Sequence, residues 1–322
     1  MGAGSRAIVV EVDDDVYIDL DVDDIGVSVN IPTSMTPFIE KLHAAQQKNR
    51  SYLCIGLDIV VANNPAAITY YDEPMLPFAR AIIEATSDLV CAYKPNLGFF
   101  LAEGAAGVVA LERIVRLIPS HIPIILDGKF GDIGNTAEAY ARGAFEQFRA
   151  DAVTLSPYMG SDSVKPFLKY ADKAAFVLAR TSNPNAGEFQ ALAISDLRLP
   201  IDEQRQTSNV KRQLFEEVAL KANEWHAAGP GACGLVVGAT APAEMQRIRE
   251  LSPELPFLIP GVGAQGGDLQ SAIQHGKTKA GLGPVINASR SILYASRRET
   301  FAEDARAAAL KMVEEMRANS QF

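Results

Sequence analysis

The chain has 322 residues, 48% of them hydrophobic and 21% charged, with 24 glycines and 18 prolines. This composition excludes fibrous, low-complexity and wholly disordered chains, and the length suits one large α/β barrel or two ordinary domains. The net charge of −9 is lopsided: residues 1–35 hold eight acids against Arg6 alone, a net of −7, which leaves −2 for the remaining 287 residues and no basic field for nucleic acid. In those first 35 residues RAIVVEV, VYIDLDV and GVSVNI alternate apolar and polar side chains, a period-2 pattern for short strands between acidic turns. They read as an acidic N-terminal extension, either short strands or disordered, and alternatively as a partner-binding edge element. A separate domain is expected over residues 36–322.

From Thr36 the rhythm changes. Eight short, nearly continuous apolar runs follow: LCIGLD (53–58), CAYKPN (91–96), PIILDGK (123–129), AVTLSP (152–157), AFVLART (175–181), GLVVGAT (234–240), PFLIPGVG (256–263) and VINASR (285–290). Such runs suit parallel strands covered on both faces. Helical patterns lie between them. Thr36–Pro37 offers a cap and a first-turn proline, Thr136 precedes AEAYARGAFEQF, and Asp268 precedes LQSAIQHG. Leu214, Val218 and Trp225 share one predicted helical face. Eight strand–helix units predict a (β/α)8 barrel, with an open doubly wound sheet as the alternative. Residues 182–209 form a long segment of weak periodicity after the fifth strand, as active-site loops often do.

Nearly every predicted strand ends in polar residues: Asp58, Lys94 with Asn96, Asp127 with Lys129, Ser156, Thr181 with Ser182, and Arg290. A closed barrel turns all these ends toward one mouth, where catalytic groups gather. The densest cluster is DGKFGDIGNT, residues 127–136. Strand alternation puts Asp127 and Lys129 on one side, and Asp132 follows just beyond. A carboxylate beside an ammonium keeps the lysine protonated, so Lys129 can donate a proton to carbon and stabilise a carbanion. One such pair could be a structural salt bridge; Lys94 on the adjacent strand extends it to an alternating Lys–Asp–Lys–Asp array. After the seventh strand, glycines 261, 263, 266 and 267 and the helix start at Asp268 read as a phosphate cradle, with Arg290 suited to forked phosphate contact. GVGAQG also fits the dinucleotide pattern G-x-G-x-x-G, but that fingerprint normally opens a first βαβ unit.

The motif D-x-K-x-x-D-I-x-N-T at the third strand resembles the orotidine 5′-phosphate decarboxylase family. So do LCIGLD, YKPN, VTLSPYMG, ARTSNP and PGVGAQGGD, in order over about residues 50–295, and two of them look like its longer-looped branch. The resemblance implies a cofactor-free decarboxylation of orotidine 5′-monophosphate to UMP. It implies that Asp58 binds the ribose, Lys94 bridges ribose and carboxylates, Asp127 faces the substrate carboxylate, and Lys129 protonates C6. It also implies that Ser182 reads the pyrimidine edge, Gln265 bridges base and phosphate, and Arg290 grips the phosphate. Asp132, Ile133 and Thr136 would serve the neighbouring site of a homodimer. Ser289 stands where short family members have glycine before the phosphate arginine. Two alternatives remain open at this point: a magnesium-dependent sugar-phosphate decarboxylase of the same suprafamily, and a non-catalytic nucleotide-binding barrel.

The remaining signals are quiet. No apolar run reaches the roughly 18 residues of a membrane span, and no signal peptide is visible. Cys54, Cys91 and Cys233 form no C-x-x-C pair, which suits a reducing, cytoplasmic setting. The four histidines lack metal-ligand spacing, so no metal is expected. Cys54, Cys91 and Trp225 read as packing residues.

Overall fold

The computed structural model describes residues 37–194, 212–262, 266–320 and 322; the acidic extension, Thr36 and Gln265 lie outside them. In chain order come α1 (Pro37–Asn49), β1 (Leu53–Leu57), α2 (Ala66–Thr69), α3 (Met75–Thr86), β2 (Ala92–Pro95), α4 (Leu97–Ala102) and α5 (Gly104–Val115). Then follow β3 (Ile125–Phe130), α6 (Gly134–Arg142), β4 (Ala152–Leu155), α7 (Ser161–Leu168), β5 (Ala174–Arg180) and α8 (Gly187–Gln190). The short strands β6 (Ala193–Ile194) and β7 (Arg212–Gln213) lead into α9 (Leu214–Ala228), β8 (Ala232–Val237) and α10 (Pro242–Leu251). The chain finishes with β9 (Phe257–Ile259), α11 (Leu269–Gly276), β10 (Val285–Ala288), α12 (Arg290–Leu293) and α13 (Phe301–Ala318).

Eight strands pair in parallel in the order β2-β1-β10-β9-β8-β5-β4-β3. The two ends of this row meet through the parallel bridges Tyr93–Ile124 and Asn96–Asp127, and Tyr93 N–H donates to the Pro123 carbonyl at 3.0 Å. The row therefore closes into a (β/α)8 barrel, and the open-sheet alternative falls. Each predicted apolar run overlaps one barrel strand.

Alternation along the strands makes two cores. Leu53, Ile55 and Leu57 of β1 pack outward under the helices, while Cys54 joins Ala92, Ile125, Ala152, Ala174, Phe176 and Val285 inside the barrel. Phe38 and Leu42 of α1 belong to that inner cluster, and the Phe38 ring meets Phe176 edge-on with centroids 6.0 Å apart. Full burial of a side chain such as Phe176 contributes about 1.5–3 kcal/mol. Its neighbour must be small: a Cβ on Gly234 would stand 2.7 Å from the Phe176 ring.

Three local expectations are corrected. The helix expected after Thr136 begins at Gly134, because Gly134 adopts φ +54° and turns the chain into α6 directly after extended Ile133. Thr136 therefore lies in the first turn rather than at the cap. On α9 the buried face is Phe215, Ala219, Ala222 and Trp225; Leu214 and Val218 lie on its partly buried flank. The segment after β5 is not structureless where described, since it forms a 3-10 turn (Pro184–Ala186), α8, and the antiparallel β6–β7 pair. The Asp268 cap appears as expected, its carboxylate accepting from Ser271 N–H at 2.7 Å. Among the described residues no helix is long and apolar enough to cross a membrane.

Candidate active site

The C-terminal strand ends surround a cavity of about 500 Å³. Asp58, Lys94, Asp127, Lys129, Ser182 and Arg290 all line it. Asp132, Ile133 and Thr136 do not; they sit beyond β3, and Asp132 accepts from the Ile133 N–H at 2.8 Å.

Asp127 is the hub. Lys94 Nζ donates to its Oδ2 and Lys129 Nζ to its Oδ1, each at 2.7 Å. Thr154 Oγ1 also donates to Oδ1, at 2.8 Å, and Asn96 Nδ2 reaches Oδ2 at 3.3 Å. The Asp127 and Lys94 side chains are only 8% and 6% exposed, whereas Lys129 is 50% exposed and faces the cavity mouth. Burial alone would raise the Asp127 carboxyl, but the Lys94 and Lys129 ammonium groups outweigh it and hold it well below the usual carboxylate range. Burial likewise opposes the charge on Lys94, and Asp127 together with Asp58 overcomes it, so this lysine keeps its proton above the ordinary range.

A break in the sheet shapes this array. Pairing of β3 with β4 slips between Leu126 and Phe130, and Lys129 takes a left-handed φ of 46°. Such a backbone costs a non-glycine residue about 1–2 kcal/mol. Thr154 holds it, accepting from the Lys129 N–H at 2.9 Å while donating to Asp127. Sequence reasoning passed over Thr154. Its signal is a lone hydroxyl in the middle of the apolar run AVTLSP, at an inward position.

The flanking parts of the rim are made by β1 and β10 on one side of this array and by the segment after β5 on the other. Asn287 Nδ2 donates to Ser289 Oγ at 3.3 Å. Ser289 has φ −126°, so serine meets no left-handed requirement here. Asp58 Oδ1 and Asn287 Oδ1 are buried without a hydrogen-bond partner among the described residues. Asn183 and Gln190 also line the cavity, and neither was singled out from sequence. Gln190 could not be, because α8 brings it back beside Thr181 from nine residues away.

Residues 51–305 match the family model described as orotidine 5′-phosphate decarboxylase / HUMPS family. The chain belongs to this family. An orotidine 5′-phosphate decarboxylase of Herpetosiphon aurantiacus is 49% identical over 270 residues, which is 84% of this chain and 94% of that one. The solved OMP decarboxylase of Leishmania donovani is 39% identical with a TM-score of 0.73, over 88% of this chain and 99% of that one. The UMP synthase of the same organism is 40% identical with a TM-score of 0.74; the match covers 88% of this chain and 57% of that longer one. The family likeness thus spans the barrel and every strand end that contributes to the cavity.

Proposed function

We infer that this chain decarboxylates orotidine 5′-monophosphate to UMP, a carbon–carbon lyase step of pyrimidine synthesis, without metal or organic cofactor. The observation that carries the reading is the closed Lys94–Asp127–Lys129 array at the barrel mouth. With the substrate carboxylate against Asp127, the C6–carboxylate bond breaks, carbon dioxide leaves and the electron pair stays on C6. The neighbouring Lys129 ammonium stabilises that pair and gives C6 its proton, then regains one from solvent. Lys94 and Asp58 hold the ribose, Ser182 meets the pyrimidine edge, and Gln265 and Arg290 bind the phosphate. Contacts to the phosphate and ribose, far from the bond that breaks, favour the transition state when they close the site around it.

The same reading makes the protein a homodimer in which Asp132, Ile133 and Thr136 complete the partner's site. Two observations support it. These three residues lie at the surface beside the cavity rather than in it. The segments that follow β2, β3 and β4 carry exposed apolar side chains: Leu101 on α4, Ile133 before α6, Tyr140 on α6, and Tyr158 and Met159 after β4.

Loss of the orotate absorbance, followed with and without EDTA, tests the activity; equal rates are expected. Abolition by EDTA would favour the magnesium-dependent alternative, and no turnover at all a nucleotide-binding barrel. For the dimer, inactive Lys129→Ala and Asp132→Ala chains are unfolded and refolded together. Heterodimers then hold one intact composite site, so about one quarter of wild-type activity should return by two-fold symmetry. Subunit exchange confirmed by native mass spectrometry without recovery would place Asp132 in its own chain's site.

A further inference from the structure

The pyrimidine end of the cavity holds a hydrogen-bond chain that the reaction as described does not use. Thr181 N–H donates to Gln190 Oε1 at 2.8 Å. A backbone N–H can only donate, so the Gln190 atom facing it must be the oxygen, and Nε2 then donates to Thr181 Oγ1, also at 2.8 Å. The threonine hydroxyl has one proton. It goes to Asn183 Oδ1 at 2.6 Å rather than back to Gln190 Oε1 at 3.2 Å. The backbone amide fixes the Gln190 orientation, and the 2.6 Å contact carries it on to Asn183. With Oδ1 turned to the Thr181 hydroxyl, the Asn183 amide is oriented so that Nδ2 is the group free of a protein partner, among the described residues, for the cavity it lines.

Both ends of this chain are braced. Behind Gln190, the Gln213 side chain donates to the Ala191 carbonyl at 3.4 Å, and Leu214 N–H donates to the Leu192 carbonyl at 3.0 Å. Gln213 is itself locked into the start of α9, its N–H donating to Glu216 at 2.7 Å while Arg247 Nε holds the other Glu216 oxygen at 2.7 Å. On the far side, Gly238 N–H donates to the Arg180 carbonyl at 2.6 Å, and a Cβ on Gly238 would stand 2.8 Å from the Ser182 nitrogen. The 181–183 segment has little room to adjust if Gln190 is lost.

We propose that Gln190 is a positioning residue for base specificity: through Thr181 it makes Asn183 a hydrogen-bond donor, matched to a pyrimidine carbonyl and mismatched to a pyrimidine amino group. The inference rests on the orotidine 5′-monophosphate reading. It adds Gln190 and Asn183 to the Ser182 contact.

The test is calorimetric titration of the full chain with UMP, CMP and ribose 5-phosphate, using wild type, Gln190→Ala and Gln190→Glu. Gln190→Glu changes shape little. Its carboxylate still accepts from Thr181 N–H but cannot donate, so the Thr181 hydroxyl turns to it and releases Asn183. In both variants the preference for UMP over CMP should fall about tenfold, the size of one net hydrogen bond. Binding of ribose 5-phosphate, which lacks the base, should stay unchanged. An unmoved UMP-to-CMP ratio in both variants overturns the proposal, as does ribose 5-phosphate binding that falls in step with UMP. Wild-type turnover measured on the same preparation separates the two levels. An active wild type with an unmoved ratio removes Gln190 alone, whereas an inactive wild type removes the substrate reading and this proposal with it.

Discussion

The two walls of the cavity are built in opposite ways. On the β2–β4 wall, the Asp127 carboxylate already holds Lys94, Lys129, Thr154 and Asn96. On the β1–β10 wall, Asp58 and Asn287 each keep a buried oxygen with no partner among the described residues, and Arg290 is exposed. An unmet buried acceptor costs about 1–3 kcal/mol. On the proposed reading, the contrast separates two jobs. Groups that act on developing charge are most effective when fixed in advance, because they need no reorganisation as the reaction proceeds. Groups that grip a ligand are better left with capacity for the ligand to fill.

The largest effect should come from the wall that is fixed in advance. On the proposed reading, Lys129→Ala removes the proton donor and one of the two cations beside Asp127, so kcat should fall about a thousandfold or more, within the range for a positioned general acid. UMP binding by calorimetry should stay within about tenfold, since the phosphate contacts proposed at Gln265 and Arg290 are untouched. Binding lost as severely as rate would make Lys129 structural. On the open wall the signature reverses. Arg290→Ala should raise KM about 10- to 100-fold, as expected for loss of charged hydrogen bonds, with a smaller change in kcat. Recovery of rate on adding phosphite dianion would support a separable phosphate site, and an unchanged KM would remove Arg290 from it.

How much of this contrast the sequence reveals depends on the range of the interactions. The barrel is legible because eight doubly covered strands each demand an unbroken apolar run. Asp58, Lys94, Asp127, Lys129, Ser182 and Arg290 are legible as polar interruptions at the ends of those runs. The left-handed turn at Lys129 is not, since it arises from a slip in β3–β4 pairing that no local pattern encodes. Gln190 is hidden for a similar reason: its partner Thr181 lies on another element. The start of α6 was misplaced because Thr136 looks like a cap, while the turn belongs to the backbone of Gly134.

Thr154 tests whether the fixed wall depends on neutral groups as well as ions. It donates to Asp127 and accepts from the strained Lys129 backbone, so Thr154→Val removes two bonds at nearly constant volume. A loss of about tenfold in kcat is expected, the scale of one or two net hydrogen bonds, with KM held. Steady-state kinetics decides; a rise in KM at constant kcat would assign Thr154 to ligand binding instead.

The smallest effect concerns pH, and here the fixed wall should be silent. The depressed Asp127 pKa gives stability that is fully present above the ordinary carboxyl range and lost only as pH falls through the lower folded value. The raised Lys94 pKa gives stability that is present below the ordinary value of 10.5 and lost as pH rises through the folded one. Neither window touches about pH 5 to 8. His226 behaves differently. Its Nδ1 accepts from Cys233 N–H at 3.2 Å, and burial lowers its pKa from 6.5. The unfolded chain then binds more protons than the folded one just below pH 6.5, so stability drops as pH falls through that region toward the folded value. His121, lowered by burial and by Lys48 and Lys41, adds to the same slope. The melting temperature should therefore fall by about 1–3 °C between about pH 7.5 and 5.5. His226→Asn should flatten that slope, because an amide oxygen can accept the Cys233 bond without titrating. Melting curves across this range settle it: an undiminished slope in His226→Asn would clear His226. A slope that vanished instead in Asp127→Asn would place the titrating group in the fixed wall and break the contrast between the two walls.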